Sequence, residues 1–470
     1  MARGQHDDRS QPTLWASTPE QAVQPPRPGG ERSADPARAT NPPHPVRADG
    51  LWEGVLSKAN IARALRRVER NGGAPGPDGM TTAELRPYVD ASWPEVRREL
   101  DRGTYRPQPV RRVQIPKPGG GVRELGVPTA LDRLIQQAIL QVLTPIFDPT
   151  FSEWSFGFRP GRSAHQAVEA ARAFVQEGGA WVVDVDLDRF FDRVNHDALM
   201  SRVARTVGDR RLLRFIRRYL EAGVMSDGVV SDTEEGTPQG SPLSPLLANI
   251  MLDDLDRELE RRGHRFVRYA DDLRVYVGTR RAAERVLESV STFIERRLKL
   301  RVNRDKSGVA PSTRRGLLGF GFFKRHGEVK VRIEAKAIAA LKARIRRLTA
   351  RNWGVSMRIR IVALNRFVAG WSAYFALTEA PSVLEDLDKW LLRRLRQVRW
   401  KEWKRYRAKV RNLRALGIPA GRARQWAGSR KGPWRLARSA PLQRAMPRRY
   451  WTDLGLLGFV EAYGRVRAVW

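Results

Sequence analysis

Two acids stand side by side in Tyr269-Ala270-Asp271-Asp272, flanked by Phe266-Val267-Arg268 and Leu273-Arg274-Val275-Tyr276-Val277. The apolar-rich flanks predict a strand, a tight turn and a second strand over 265–277, with both carboxylates at the tip. Adjacent carboxylates repel each other and cannot serve an apolar core, so they need cations. Hard divalent ions take such oxygens. In nucleotidyl transfer a pair of them, about 3.5–4 Å apart, clamps the attacking oxygen and the leaving pyrophosphate. One hairpin is insufficient for that task, and Trp181-Val182-Val183-Asp184-Val185-Asp186-Leu187-Asp188 is the candidate second source. Its aspartates alternate with apolar residues and so share one face of a strand. Acids are poor strand formers, which favours a cation site, although a solvated edge face would carry the same pattern.

The elements around these acids follow from periodicity. Ile61, Leu65 and Val68 give Asn60–Val68 one apolar helical face, which stops at Asn71-Gly72-Gly73 and a Gly/Pro loop through Gly79. Val110 to Ile115 and Val122 to Val127 read as a hairpin with a glycine tip at Gly119-Gly120-Gly121. Helices are expected from Asp132 to Ile146, from about Leu199 to Ala222, after Ser244 and within Ala282 to Leu298. The helix after Ser244 carries Leu247, Ile250, Met251, Leu255 and Leu259 on its apolar stripe. From Glu334 on the pattern is nearly all helix, near 335–351, 356–377 and 381–409, with a last one from Trp451 to Val466.

Composition sets the class of partner. The 470 residues carry a net charge of +35, which calls for a polyanion, nucleic acid first. With no cysteine there is no disulfide, thiol catalysis or Cys-ligated zinc, and the six histidines are scattered. No apolar run approaches a membrane span, and the polar N-terminus is no secretory signal, so a cytoplasmic location is expected. Residues 1–49, with nine prolines, read as a disordered leader.

Taken together, these motifs resemble the group II intron reverse transcriptases and maturases, from about Leu51 to the end. The resemblance rests on Asp186-Leu187-Asp188-Arg189-Phe190-Phe191-Asp192 with His196, on the Tyr269–Asp272 hairpin, and on Gly236-Thr237-Pro238-Gln239-Gly240-Ser241-Pro242-Leu243-Ser244. Ser155-Phe156-Gly157-Phe158-Arg159-Pro160-Gly161-Arg162-Ser163, Leu300 to Ser307, Leu318-Gly319-Phe320 and Asn365 to Phe375 complete it. It implies an α+β right-hand polymerase. The expected parts are an N-terminal extension and fingers (50–180), an antiparallel-sheet palm (181–333), thumb or maturase helices (334–410) and a basic C-terminal segment (411–470).

The resemblance also implies roles. Asp186, the Leu187 carbonyl and Asp271 become Mg2+ ligands, with Asp272 a catalytic neighbour and Asp184 and Asp188 the rivals. Phe191 becomes the gate against a 2′-OH. Lys117, Arg123, Gln239 and Lys306 are expected at the nucleotide, Arg159 and Arg162 at the template, and Gly319 in a primer grip. Residues 389–435 hold many Lys and Arg, a single acid, Glu402, and five interleaved tryptophans. There Arg393, Arg394, Arg396, Arg399, Lys401, Lys404 and Arg405 are expected to line an RNA groove, with the tryptophans mostly in the core. The implied partners are the intron RNA, a template RNA with a DNA primer, and deoxynucleoside triphosphates. The implied work is retrohoming with assistance to splicing. With no cysteine in the sequence, the cysteine-paired endonuclease of many members is not expected, which resembles the short IIC-type members. A splicing factor with polymerisation secondary, and a relative adapted to defence or repair, are the alternatives.

Overall fold

The computed structural model describes residues 49–116, 122–226, 229–231, 236–237 and 240–468. The leader, apart from its last residue, lies outside them, as do Lys117, the glycine tip and Gln239. The strands are β1 (Val110–Pro116), β2 (Val122–Val127), β3 (Trp181–Val185), β4 (Val224–Ser226), β5 (Val229–Ser231), β6 (Arg265–Tyr269), β7 (Asp272–Val277), β8 (Gly308–Pro311), β9 (Phe320–Arg325) and β10 (Glu328–Ile333). The chain forms two compact units, each assembled from separated stretches. Among the described residues, no helix is long and apolar enough to cross a membrane.

The first unit comprises 1–115, 122–149 and 194–250. The helix Lys58–Asn71 is capped by Ser57 and buries Ile61, Ala64, Leu65 and Val68. It packs on Ala130–Phe147, where the Asn60 amide donates to the carbonyls of Val55 (2.9 Å) and Ala138 (3.0 Å). The single helix expected over 199–222 is two, His196–Thr206 and Arg210–Glu221. Asp209 causes the break. Its carboxylate caps the second helix through Arg211 and Leu212 N–H and also accepts the Trp52 N–H at 2.9 Å. The Trp52 ring stacks on Phe215 at 4.6 Å. Strands β2-β1-β4-β5 form one sheet in which β1 and β4 run parallel. The short β4 and β5 and the helix Leu85–Arg102, with Pro94 inside it, were not legible from periodicity.

The second unit comprises 116–121, 150–193 and 251–470. Its sheet has the order β6-β7-β3-β8, and every neighbour is antiparallel. A β9–β10 hairpin follows, then the helices Ala335–Leu348, Met357–Tyr374 and Ser382–Glu402. One apolar core runs from Val182 and Tyr276 in the sheet through Phe320 and Val331 to Leu364, Leu391 and Trp451. The helix expected to continue to 409 stops at Glu402, where Trp403 turns inward 5.9 Å from Trp400 and a new helix starts at Tyr406. The last expected helix is likewise two, Arg448–Thr452 and Phe459–Arg467, divided by a turn in which Gly455 has φ 86°.

Candidate active site

Strand register brings the two acidic segments together. Asp184 pairs with Arg274 and Val185 with Leu273, so Asp186, one step beyond β3, comes abreast of Asp272 at the start of β7. Residues facing each other across a sheet point to one side, and so do residues two apart on a strand. Asp184, Asp186, Asp272 and Arg274 therefore occupy one face, with Asp271 on the adjoining turn. The turn is Ala270-Asp271, closed by the Tyr269–Asp272 pair, with Ala270 at a left-handed φ of 59°. Burial pushes the Asp272 carboxyl up to about 6; Arg274 opposes the shift, and the charges of Asp184, Asp271 and Asp186 add to it.

The four carboxylates on and beside β3 differ in how they are balanced. Asp184 is buried and accepts from both Arg274 and Arg315, so its charge is already committed within the protein. Arg274 also holds Asp272 at 2.5 Å. Asp188 pairs with Arg193 at 3.1 Å. Asp186 has the Lys306 ammonium 3.4 Å from Oδ2, yet that oxygen is shielded from water and takes no hydrogen bond. The backbone of Asp186 is fixed: its N–H donates to Ser307 Oγ at 3.0 Å and its carbonyl accepts from Asn303 N–H at 2.8 Å. Leu187 is buried and bridges to Val302. Among the described residues, no three His, Asp or Glu side chains close around one point. A shielded carboxylate oxygen that takes no hydrogen bond, beside a second acidic strand, nevertheless fits a hard divalent cation. Such an ion is commonly held by one or two carboxylates and completed by substrate phosphates.

A buried ion pair aims the hairpin. The Arg268 guanidinium donates to both Asp256 oxygens at 2.7 and 2.5 Å, and to the Ala270 carbonyl at 2.9 Å. Both partners are essentially inaccessible. On its other side, the segment from Trp154 to Gly157 runs along β6, with Phe156 N–H to Arg268 O and Arg268 N–H to Trp154 O, each 2.9 Å. A Cβ on Gly157 would lie 2.2 Å from the Ala270 nitrogen, so only glycine permits this approach. Arg159 is buried and donates to the carbonyls of Ser152 (2.5 Å) and Ser155 (2.9 Å); it pins this segment rather than facing solvent. Arg162 is half-buried, 5.7 Å over Phe156.

Asp256, Arg268, Arg274, Arg315 and Gly157 were missed as site residues. Asp256 did carry a signal: it interrupts a buried stripe formed with Leu252 and Leu259 on Ser244–Arg261. Of the expected residues, Phe191 is half-buried in a 3-10 turn, edge-on to Phe190 at 5.1 Å. Gly319 sits at φ 84° in the turn before β9, and a Cβ there would touch the Phe375 ring at 3.4 Å. Arg123 lies on β2 in the first unit.

The seven basic residues of 393–405 divide by burial. Arg396 is buried and donates to the Met446 carbonyl at 3.0 Å. Arg393 lies 3.7 Å over Trp434, Arg394 bonds Thr349 at 2.9 Å, and Arg399 pairs with Glu402 at 2.9 Å. Lys401, Lys404 and Arg405 are exposed. Of the five tryptophans, Trp400 and Trp403 are buried, and Trp390, Trp426 and Trp434 are half-buried.

Comparison with known proteins agrees with this geometry. Residues 115–322, which contain the acidic strand and hairpin, match the family of reverse transcriptases (RNA-dependent DNA polymerases). Residues 338–417 match the maturase-specific domain of group II introns. The chain is 33% identical over 338 residues to protein YkfC of Escherichia coli K12, covering 62% of this chain and 88% of that protein. It is 30% identical over 329 residues to the group II intron-encoded protein LtrA of Lactococcus lactis subsp. cremoris, covering 54% of this chain and 53% of that one. It thus spans about half the length of LtrA. With an acidic two-strand palm followed by maturase helices, the chain belongs to the group II intron reverse transcriptase and maturase family.

Proposed function

We propose that the protein extends a DNA primer along an RNA template from deoxynucleoside triphosphates with Mg2+, and that it binds a group II intron RNA to assist splicing and to copy it during retrohoming. The observation that carries this reading is the juxtaposition of Asp186 with the Asp271-Asp272 turn, where Asp186 Oδ2 is shielded and takes no hydrogen bond. RNA binding alone gains nothing from clustered carboxylates, which repel phosphate.

Asp186 and Asp271 are the oxygen donors for the metal, joined by the Leu187 carbonyl. When bound, Mg2+ neutralises charge on the attacking and leaving oxygens. Arg274 and Arg315 satisfy Asp184, and Arg274 restrains Asp272. Lys306, 3.4 Å from Asp186, offers a cation to the triphosphate, as do Lys117 and Arg123. Gln239 approaches the nucleotide, Arg162 the template backbone and Gly319 the primer. Phe191 limits the space beside the incoming sugar.

The test is primer extension on an RNA template, with deoxynucleotides and ribonucleotides compared. The wild type should extend only with deoxynucleotides. Phe191→Val should admit ribonucleotides at least tenfold better while deoxynucleotide use is retained. If the variant discriminates as the wild type does, Phe191 is not the gate.

A further inference from the structure

The C-terminal helices line a cavity that no residue of the acidic strand or hairpin borders. It measures about 580 Å³ and opens among the end of Ser382–Glu402, the helix Ala420–Ala427 and the short helices Pro433–Leu436 and Ala440–Ala445. Its walls include Trp400, Gln425, Trp426, Ser429, Arg435 and Arg438, and no carboxylate. The volume is in the range of small-ligand sites.

The walls are fixed by ordinary protein contacts. Arg393 packs 3.7 Å over Trp434 and donates to its carbonyl at 3.2 Å, which anchors the segment bearing Arg435. Ser429 N–H donates to the Trp426 carbonyl at 3.2 Å, and Ser439 Oγ to Leu436 at 2.7 Å. Trp400 is buried with the Lys409 ammonium 4.9 Å from its ring, whereas Trp426 is half-exposed. Arg435 and Arg438 are exposed at the rim. The surrounding sequence is one-sided: from Trp403 to Thr452 there are 15 Lys and Arg and no Asp or Glu.

We infer that this cavity binds one unpaired nucleotide of single-stranded RNA. Trp426 stacks on the base, Arg435 and Arg438 pair with the flanking phosphates, and Gln425 and Ser429 hydrogen-bond the 2′-OH. An aromatic wall under a cationic rim is the combination that single strands require, because every base has a stacking face and every linkage a charge. A duplex hides its bases and cannot enter. An acidic peptide would use the cations and leave the aromatic wall idle. The inference rests on the proposed RNA binding of this protein, and it adds the strandedness and a place of contact in the basic C-terminal segment.

The test uses the full chain and three probes of equal length: an unstructured RNA strand, an RNA duplex and the corresponding DNA strand. Trp426→Ala should weaken single-stranded RNA roughly tenfold, the scale of one lost base stack. Duplex RNA should change less than twofold, and Trp426→Phe should restore binding. Replacing Arg435 and Arg438 with Gln should flatten the salt dependence of single-strand binding by a slope of about 1.4. A 5-iodouridine in the strand should crosslink to Trp426. Primer extension on a short RNA template should persist in Trp426→Ala, which separates this site from the polymerase. Unchanged single-strand affinity in a folded Trp426→Ala protein, or an equal loss on duplex, would overturn the inference. Equal binding and equal weakening of the DNA strand would overturn the assignment to RNA.

Discussion

Asp272 carries a carboxyl pushed up to about 6 by burial, while Arg274 holds it in an ion pair 2.5 Å long. Its folded-state value lies above the ordinary 3.8, so its contribution to stability is full below that pH and is lost as pH rises through about 6. A shift of that size is worth at most about 3 kcal/mol. With the side chain 35% exposed, solvent screening reduces it to roughly 1 kcal/mol. In metal-free buffer the wild type should therefore lose about 1 kcal/mol relative to Asp272→Asn between pH 4 and 6.5, measured by urea unfolding. A pH-independent difference would mean that Asp272 titrates as an ordinary surface carboxylate. The pair at Asp256 and Arg268 is a stricter case. Removing one partner leaves the other charge buried, so Arg268→Met should cost about 3–5 kcal/mol, and the double change to Met and Leu much less. Thermal melts of the three proteins distinguish this from a simple loss of contact area.

At the level of elements, the acidic hairpin is positioned by the helix Ser244–Arg261 on one side and by the Trp154–Gly157 segment on the other. Gly157→Ala would drive a methyl group into the Ala270 nitrogen, 2.2 Å away, and must displace the turn that bears Asp271. Extension should fall more than tenfold while RNA affinity changes less than twofold; equal activity would show that the hairpin yields without cost. The hairpin and the acidic strand were legible because alternation and paired acids are local signals. Which residues of β3 and β7 face each other was not, because register is settled by distant packing. The Asp209 break was hidden for a related reason: its carboxylate answers Trp52, 157 residues away in sequence. Arg159 and Arg396 were expected at nucleic acid; both are buried against backbone carbonyls, which charge alone does not reveal.

For the whole molecule, the net charge of +35 divides into cations that hold the fold and cations that face solvent. Lys401, Lys404 and Arg405 belong to the second group. Replacing all three with Ala should weaken RNA binding uniformly and flatten its salt slope by about 2–3. Arg396→Ala should instead lower the melting temperature, because Arg396 is buried against the Met446 carbonyl. Salt titrations and melts on both proteins check this division, and the opposite pattern would reverse it. The proposed polymerase rests on Asp186, one step beyond β3, lying beside the turn that carries Asp271. The most direct measurement is extension of a DNA primer on an RNA template with Mg2+ and deoxynucleotides, wild type beside Asp271→Ala. Extension by the wild type, with at least a thousandfold loss in the variant at equal RNA binding, is the predicted result. A folded wild type that binds RNA and extends nothing, or a variant that extends as well as the wild type, would contradict the account.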